Sequence, residues 1–90
     1  MIKHLNIKIF GKVQGVYFRA NTKDKADNLR LKGFVKNEDD GSVYIEVEGD
    51  NTKLTNFISW CKVGPPNASV EKVDIEEGKL KNFEVFEIVI

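Results

Sequence analysis

The chain is poor in the residues on which most protein chemistry depends. It has one cysteine (Cys61), one histidine (His4), two prolines and, among fourteen basic residues, two arginines (Arg19 and Arg30). A lone cysteine excludes an internal disulfide framework and fits a reducing cytoplasm. One Cys and one His at distant positions are too few for a dedicated zinc site, and no cofactor is expected. No apolar run approaches a membrane span, and Met1-Ile2-Lys3-His4 lacks the basic-then-apolar layout of a secretory leader. Net charge is missing as well. Fourteen basic residues balance fourteen acidic ones, so no global field draws the protein to nucleic acid or anionic lipid. Any anion it binds must be captured locally.

What is present fits one small soluble domain over residues 1–90, with 41% hydrophobic and 31% charged residues and no repeat or linker. Leu5, Ile7 and Ile9 alternate with His4, Asn6 and Lys8, the pattern of a half-buried strand. The spacing of Thr22, Ala26 and Leu29 predicts a mostly polar helix over 21–31, with Gly33 where a helix commonly ends. Phe34 to Lys36 begins a second strand, Glu38-Asp39-Asp40-Gly41 is a turn, and Val43, Ile45 and Val47 alternate against Tyr44, Glu46 and Glu48. Gly49-Asp50-Asn51 caps a second helix carrying Leu54, Phe57, Ile58 and Cys61, which Gly64-Pro65-Pro66 stops. Val73 and Ile75 mark a fourth strand, with Val70 out of phase in the manner of a bulge. Phe83 to Ile90 reads as a fifth, its phase shifting at Phe86, and the last two runs are expected to form a hairpin or one interrupted edge. The order β-α-β-β-α-β fits an α+β, ferredoxin-like sandwich: an antiparallel sheet with both helices on one face.

Between the first strand and the first helix lies Gly11-Lys12-Val13-Gln14-Gly15-Val16-Tyr17-Phe18-Arg19. Two glycines leading from a strand to a helix can wrap backbone N–H groups around a phosphate, and an arginine there can add a planar, charged fork. Lysine serves equally well on a solvated surface, so the placement of one scarce arginine here has weight. A cation in a first helical turn opposes the helix dipole, which an anion would relieve. The loop has neither the Walker A spacing nor G-x-G-x-x-G, so no nucleotide fold is implied. Asn37 ends the second strand. Read alone, an asparagine there bonds nearby backbone, and only a position close to the glycine loop would give it a chemical task.

Gly11-x-Val13-Gln14-Gly15-Val16-x-Phe18-Arg19, then Gly33-x-Val35-x-Asn37-x-x-Asp40-Gly41-x-Val43, and finally Gly64-Pro65-x-x-Ala68-x-Val70 closely resemble the acylphosphatases over essentially the whole chain. The resemblance implies a ferredoxin-like domain that hydrolyses carboxyl-phosphate anhydrides without a metal. It implies that Gln14, Gly15, Val16, Tyr17, Phe18 and Arg19 cradle the phosphate, that Arg19 binds it, and that Asn37 positions the attacking water. The aromatic after Gly33 is often Trp or Tyr in that family and is Phe34 here, a change that touches packing. The expected partners are a small acyl phosphate and, as product or inhibitor, inorganic phosphate, with no nucleic acid and no membrane. A free-standing cytoplasmic monomer is expected.

Two other classes share this element order: single-stranded RNA-binding modules and regulatory domains such as those of hydrogenase maturation factors. An RNA-binding sheet needs aromatics on its open face. Here that face is expected to show His4, Asn6, Lys8, Glu46 and Glu48, with Tyr44 its one aromatic. His4 is expected on the surface, Cys61 in the core with Trp60 beside it, Lys12 and Glu76-Glu77 in solvent, and Asp39 and Asp40 as turn formers.

Overall fold

The alternation in the first segment produces an eleven-residue strand, β1 (Ile2–Lys12), with Leu5, Ile7 and Ile9 buried on one side. The computed structural model describes residues 1–90. After β1 follow α1 (Phe18–Asn28), β2 (Lys32–Asn37), β3 (Val43–Asp50), α2 (Asn51–Cys61), β4 (Ser69–Gly78) and the short β5 (Phe86–Ile88). They form one five-stranded sheet in the order β4-β1-β3-β2-β5. Val35, Val43, Ile45 and Val47 join the apolar side of β1 in a single core with Phe18 and Ala26 of α1 and Leu54, Phe57 and Cys61 of α2. Both helices therefore cover one face, as the ferredoxin-like reading requires.

Two expectations need correction and a third holds. The first helix starts at Phe18, inside the motif, and ends at Asn28; the left-handed residue after it is Arg30 (φ 58°), whereas Gly33 lies within β2. A bulge does form: Phe10 pairs with Lys72 and Gly11 with Val70, so Glu71 is the extra residue. The final runs do not make a hairpin, for β4 and β5 occupy opposite edges. The β5 strand pairs with β2 in parallel, Val35 opposite Ile88, which makes the sheet mixed. Phase alone cannot say which edge a strand joins.

Because β4 and β5 are at opposite edges, residues 79–85 must cross the sheet, and they do so on its open face. The Glu48 carboxylate accepts from the backbone N–H groups of Lys81 (2.5 Å) and Phe83 (3.2 Å), and Lys81 Nζ donates to Glu46 (2.8 Å). Beneath this strap His4 is buried, 2.7 Å from Glu48, with Phe83 stacked on its ring at 5.9 Å. His4 is thus no surface residue. Burial pushes the Glu46 and Glu48 carboxyls up. The Lys81 ammonium and Tyr44 hydroxyl at Glu46, and the strap amides and His4 at Glu48, outweigh it and hold both below their usual range. Tyr44 is not alone either, since Phe34 packs against it (6.0 Å) and against Phe83 (5.9 Å).

Candidate functional site

From Gln14 to Phe18 the backbone φ alternates in sign, with Gly15 at 73° and Tyr17 at 63° the positive members. Glycine takes that conformation freely; tyrosine pays a strain of order 1 kcal/mol. Alternating right- and left-handed residues turn successive N–H groups toward one side, forming a concave nest for an anion. The amides of Gly15, Val16 and Tyr17 donate to no acceptor in the protein, and the first-turn amides that follow them in α1 have no intrahelical acceptor either. The start of α1 has no side-chain cap and no acidic residue. By contrast, α2 begins on Asp50, which accepts from Thr52 N at 3.0 Å. The positive end of α1 is left open in a way that the positive end of α2 is not.

Arg19 sits in the first turn of α1, half-buried, and forms no ion pair or hydrogen bond with any protein group. A half-buried guanidinium with five unused donors is poised for an external anion.

Asn37 reaches this loop although β3 lies between β1 and β2. Gln14 accounts for the approach. Its Nε2 donates to the carbonyls of Glu38 (2.8 Å) and Ser42 (2.9 Å), tying the glycine loop to the turn that follows Asn37. The turn is itself closed by Glu38 N to Ser42 O (2.9 Å) and by Asp40, which accepts from Ser42 N (3.0 Å) and Ser42 Oγ (2.5 Å). Those Ser42 donors, with the Lys8 ammonium, hold the Asp40 carboxyl down at about 2. Asp40 is thus a turn former, as expected.

Arg19 and Asn37 line one cavity of about 510 Å³, with Gly15, Tyr17, Phe18 and Ala20 along its loop side and Ile88 on β5. Asn37 Oδ1 is buried and has no hydrogen-bond partner within the protein, although leaving such an acceptor unmet costs about 1–3 kcal/mol. The structure thus gathers Gly15, Tyr17, Phe18, Arg19 and Asn37. Gln14 and Val16 do not line the cavity: the Gln14 side chain is spent on the turn and Val16 enters the core, leaving only their backbone amides for a ligand. The third motif stretch stands behind the loop, where a Cβ on Gly64 (φ 73°) would come within 2.8 Å of Phe18 Cε2. Sequence reasoning missed the Gln14 brace and the wall supplied by Ile88 and Ile90. The shared phase of Phe86, Ile88 and Ile90 puts these side chains on one face, but the edge they join is set by the β2–β5 pairing.

Cys61 is fully buried, and that burial pushes its thiol far up, so it takes no part as a nucleophile. No three His, Cys, Asp or Glu side chains stand close enough to hold a metal ion. No helix is long and apolar enough to cross a membrane.

The chain is similar to known proteins over nearly its whole length. The Acylphosphatase family model matches residues 5–88. An acylphosphatase of Acaryochloris marina is 47% identical over 85 residues, covering 94% of this chain and 91% of that protein. One from Ligilactobacillus salivarius is 44% identical over 88 residues, covering 97% and 98%. The crystal structure of acylphosphatase from Bacillus subtilis superimposes with a TM-score of 0.95 at 37% identity, covering all of both chains.

Proposed function

The chain belongs to the acylphosphatase family and hydrolyses acyl phosphates to carboxylate and inorganic phosphate, and we propose that Arg19 and Asn37 are its catalytic residues. The loop amides of Gln14 to Arg19 hold the phosphoryl oxygens in this reading, with the Arg19 fork closing on them. The observation that carries it is the meeting of two unmet groups in one cavity: an unpaired guanidinium and a buried, partnerless amide oxygen.

Few groups suffice for the chemistry. The departing carboxylate has a conjugate acid of pKa about 4, so it leaves without a general acid. Phosphoryl transfer asks mainly for positioning and charge stabilisation. Water held on the Asn37 carboxamide attacks phosphorus in line, the phosphorus–oxygen bond to the acyl group breaks, and the phosphate itself takes the water's proton. No phosphoenzyme forms and no metal is used. Residues 1–90 act as one domain and as a monomer; the even charge disfavours nucleic-acid partners, and the single, buried Cys61 fits a reducing cytoplasm. The nucleic-acid-binding or regulatory alternative is not favoured, because identity to acylphosphatases runs the length of the chain.

Steady-state hydrolysis of benzoyl phosphate tests the assignment. Asn37→Ala should lower kcat by about 10²-fold or more while inorganic phosphate still inhibits at nearly the parent concentration, and a chelator should leave the parent rate unchanged. Full kcat in Asn37→Ala, or activity abolished by the chelator, would contradict the mechanism.

A further inference from the structure

We propose that Ile88 and Ile90 form the acyl side of the cavity and select substrates whose acyl group is apolar. The inference rests on the acyl phosphatase reading above and specifies its substrate class. Its basis is the parallel pairing at the sheet edge. With Ile88 opposite Val35, Ile90 falls level with Asn37, and the two-residue period puts Ile88 and Ile90 on the same side of the sheet as Asn37. The backbone bond from Val89 N to Val35 O (2.9 Å) continues the pairing beyond β5, and Lys23 Nζ pins β5 to α1 through Phe86 O (3.0 Å). An antiparallel strand in this place would have led the chain away from the site.

The cavity has room for more than phosphate. A phosphate takes roughly the space of three or four waters, about 30 Å³ each, out of about 510 Å³. The remaining wall is apolar: Val13, Tyr17, Phe18, Ile88 and Ile90, with Arg19 the one charged side chain present. An acyl group carrying its own charge would meet no second partner there and would lose hydration uncompensated. Single exposed apolar side chains are ordinary. Tyr17, Ile88 and Ile90, all exposed, converge on the cavity that also holds the unpaired guanidinium, which is the pattern of a ligand wall.

The test compares kcat/KM for benzoyl phosphate and acetyl phosphate in the parent, Ile88→Ala and Ile90→Ala, with inhibition by inorganic phosphate measured in each. The parent should prefer benzoyl phosphate by about tenfold or more, and each variant should cut that preference about three- to tenfold, with phosphate inhibiting as in the parent. An equal loss on both substrates accompanied by weakened phosphate inhibition would make these residues merely structural and overturn the proposal. So would a preference unmoved by either substitution, with the hydrolase reading intact. A parent that hydrolyses neither substrate would overturn that reading, and this inference with it.

Discussion

Replacing Arg19 by alanine should separate function from stability in opposite directions. The guanidinium has no partner within the protein, so its removal breaks no internal bond. It also takes a cation out of the first turn of α1, where cations oppose the dipole by about 0.3–1 kcal/mol, while alanine and arginine have nearly equal helix propensity. For a domain this size that corresponds to a rise in Tm of roughly 1–6 °C. Activity should move the other way. Two charge-assisted hydrogen bonds to the phosphoryl group, at about 1.5–3 kcal/mol each, amount to about 3–6 kcal/mol, or a loss of about 10²–10⁴ in kcat/KM. Arg19→Lys keeps the charge and loses the fork, so a loss of about tenfold or more remains. The assay is benzoyl phosphate hydrolysis paired with thermal unfolding by circular dichroism. Near-parent turnover in either variant would refute the role given to Arg19. A variant that is inactive but melts well below the parent would refute the claim that this arginine is held for the ligand at the fold's expense.

Two further outcomes follow from the geometry. Gln14→Ala removes two hydrogen bonds to the carbonyls of Glu38 and Ser42, each worth about 0.5–1.5 kcal/mol. It should lower Tm by roughly 5–15 °C and kcat by about tenfold or more; an unchanged kcat would show that Asn37 is positioned without it. The acid limb of stability should report Glu46 and Glu48. Their carboxyls are held below the usual 4.5 in the folded protein, so the unfolded chain binds protons first as pH falls. The stabilisation is complete above about pH 4.5 and is lost as pH drops through the folded values. A Tm profile from pH 7 to pH 2.5 should therefore fall below pH 4.5, and Glu48→Gln should flatten that fall; identical profiles would place the acid-sensitive groups elsewhere.

By itself the amino-acid order determined the features that depend on neighbours a few residues away. Alternation in Leu5-Ile7-Ile9 and Val43-Ile45-Val47 dictates strands, Asp50 a helix start, and Gly15 a loop that can bend its amides around a phosphate, because side-chain period and backbone freedom are local properties. The acylphosphatase resemblance was legible for the same reason: each of its three motif stretches is short and local, so its spacing can be read without the fold. Tertiary structure alone decided which edge β5 joins, and hence that Ile88 and Ile90 wall the cavity. It also buried His4 beneath a strap 77 residues further along the chain, at Lys81, and set Gln14 to hold the turn after Asn37 instead of facing the ligand. These are pairings between segments remote in sequence. They are settled by which surfaces remain uncovered once the core has closed, and no local pattern carries that information.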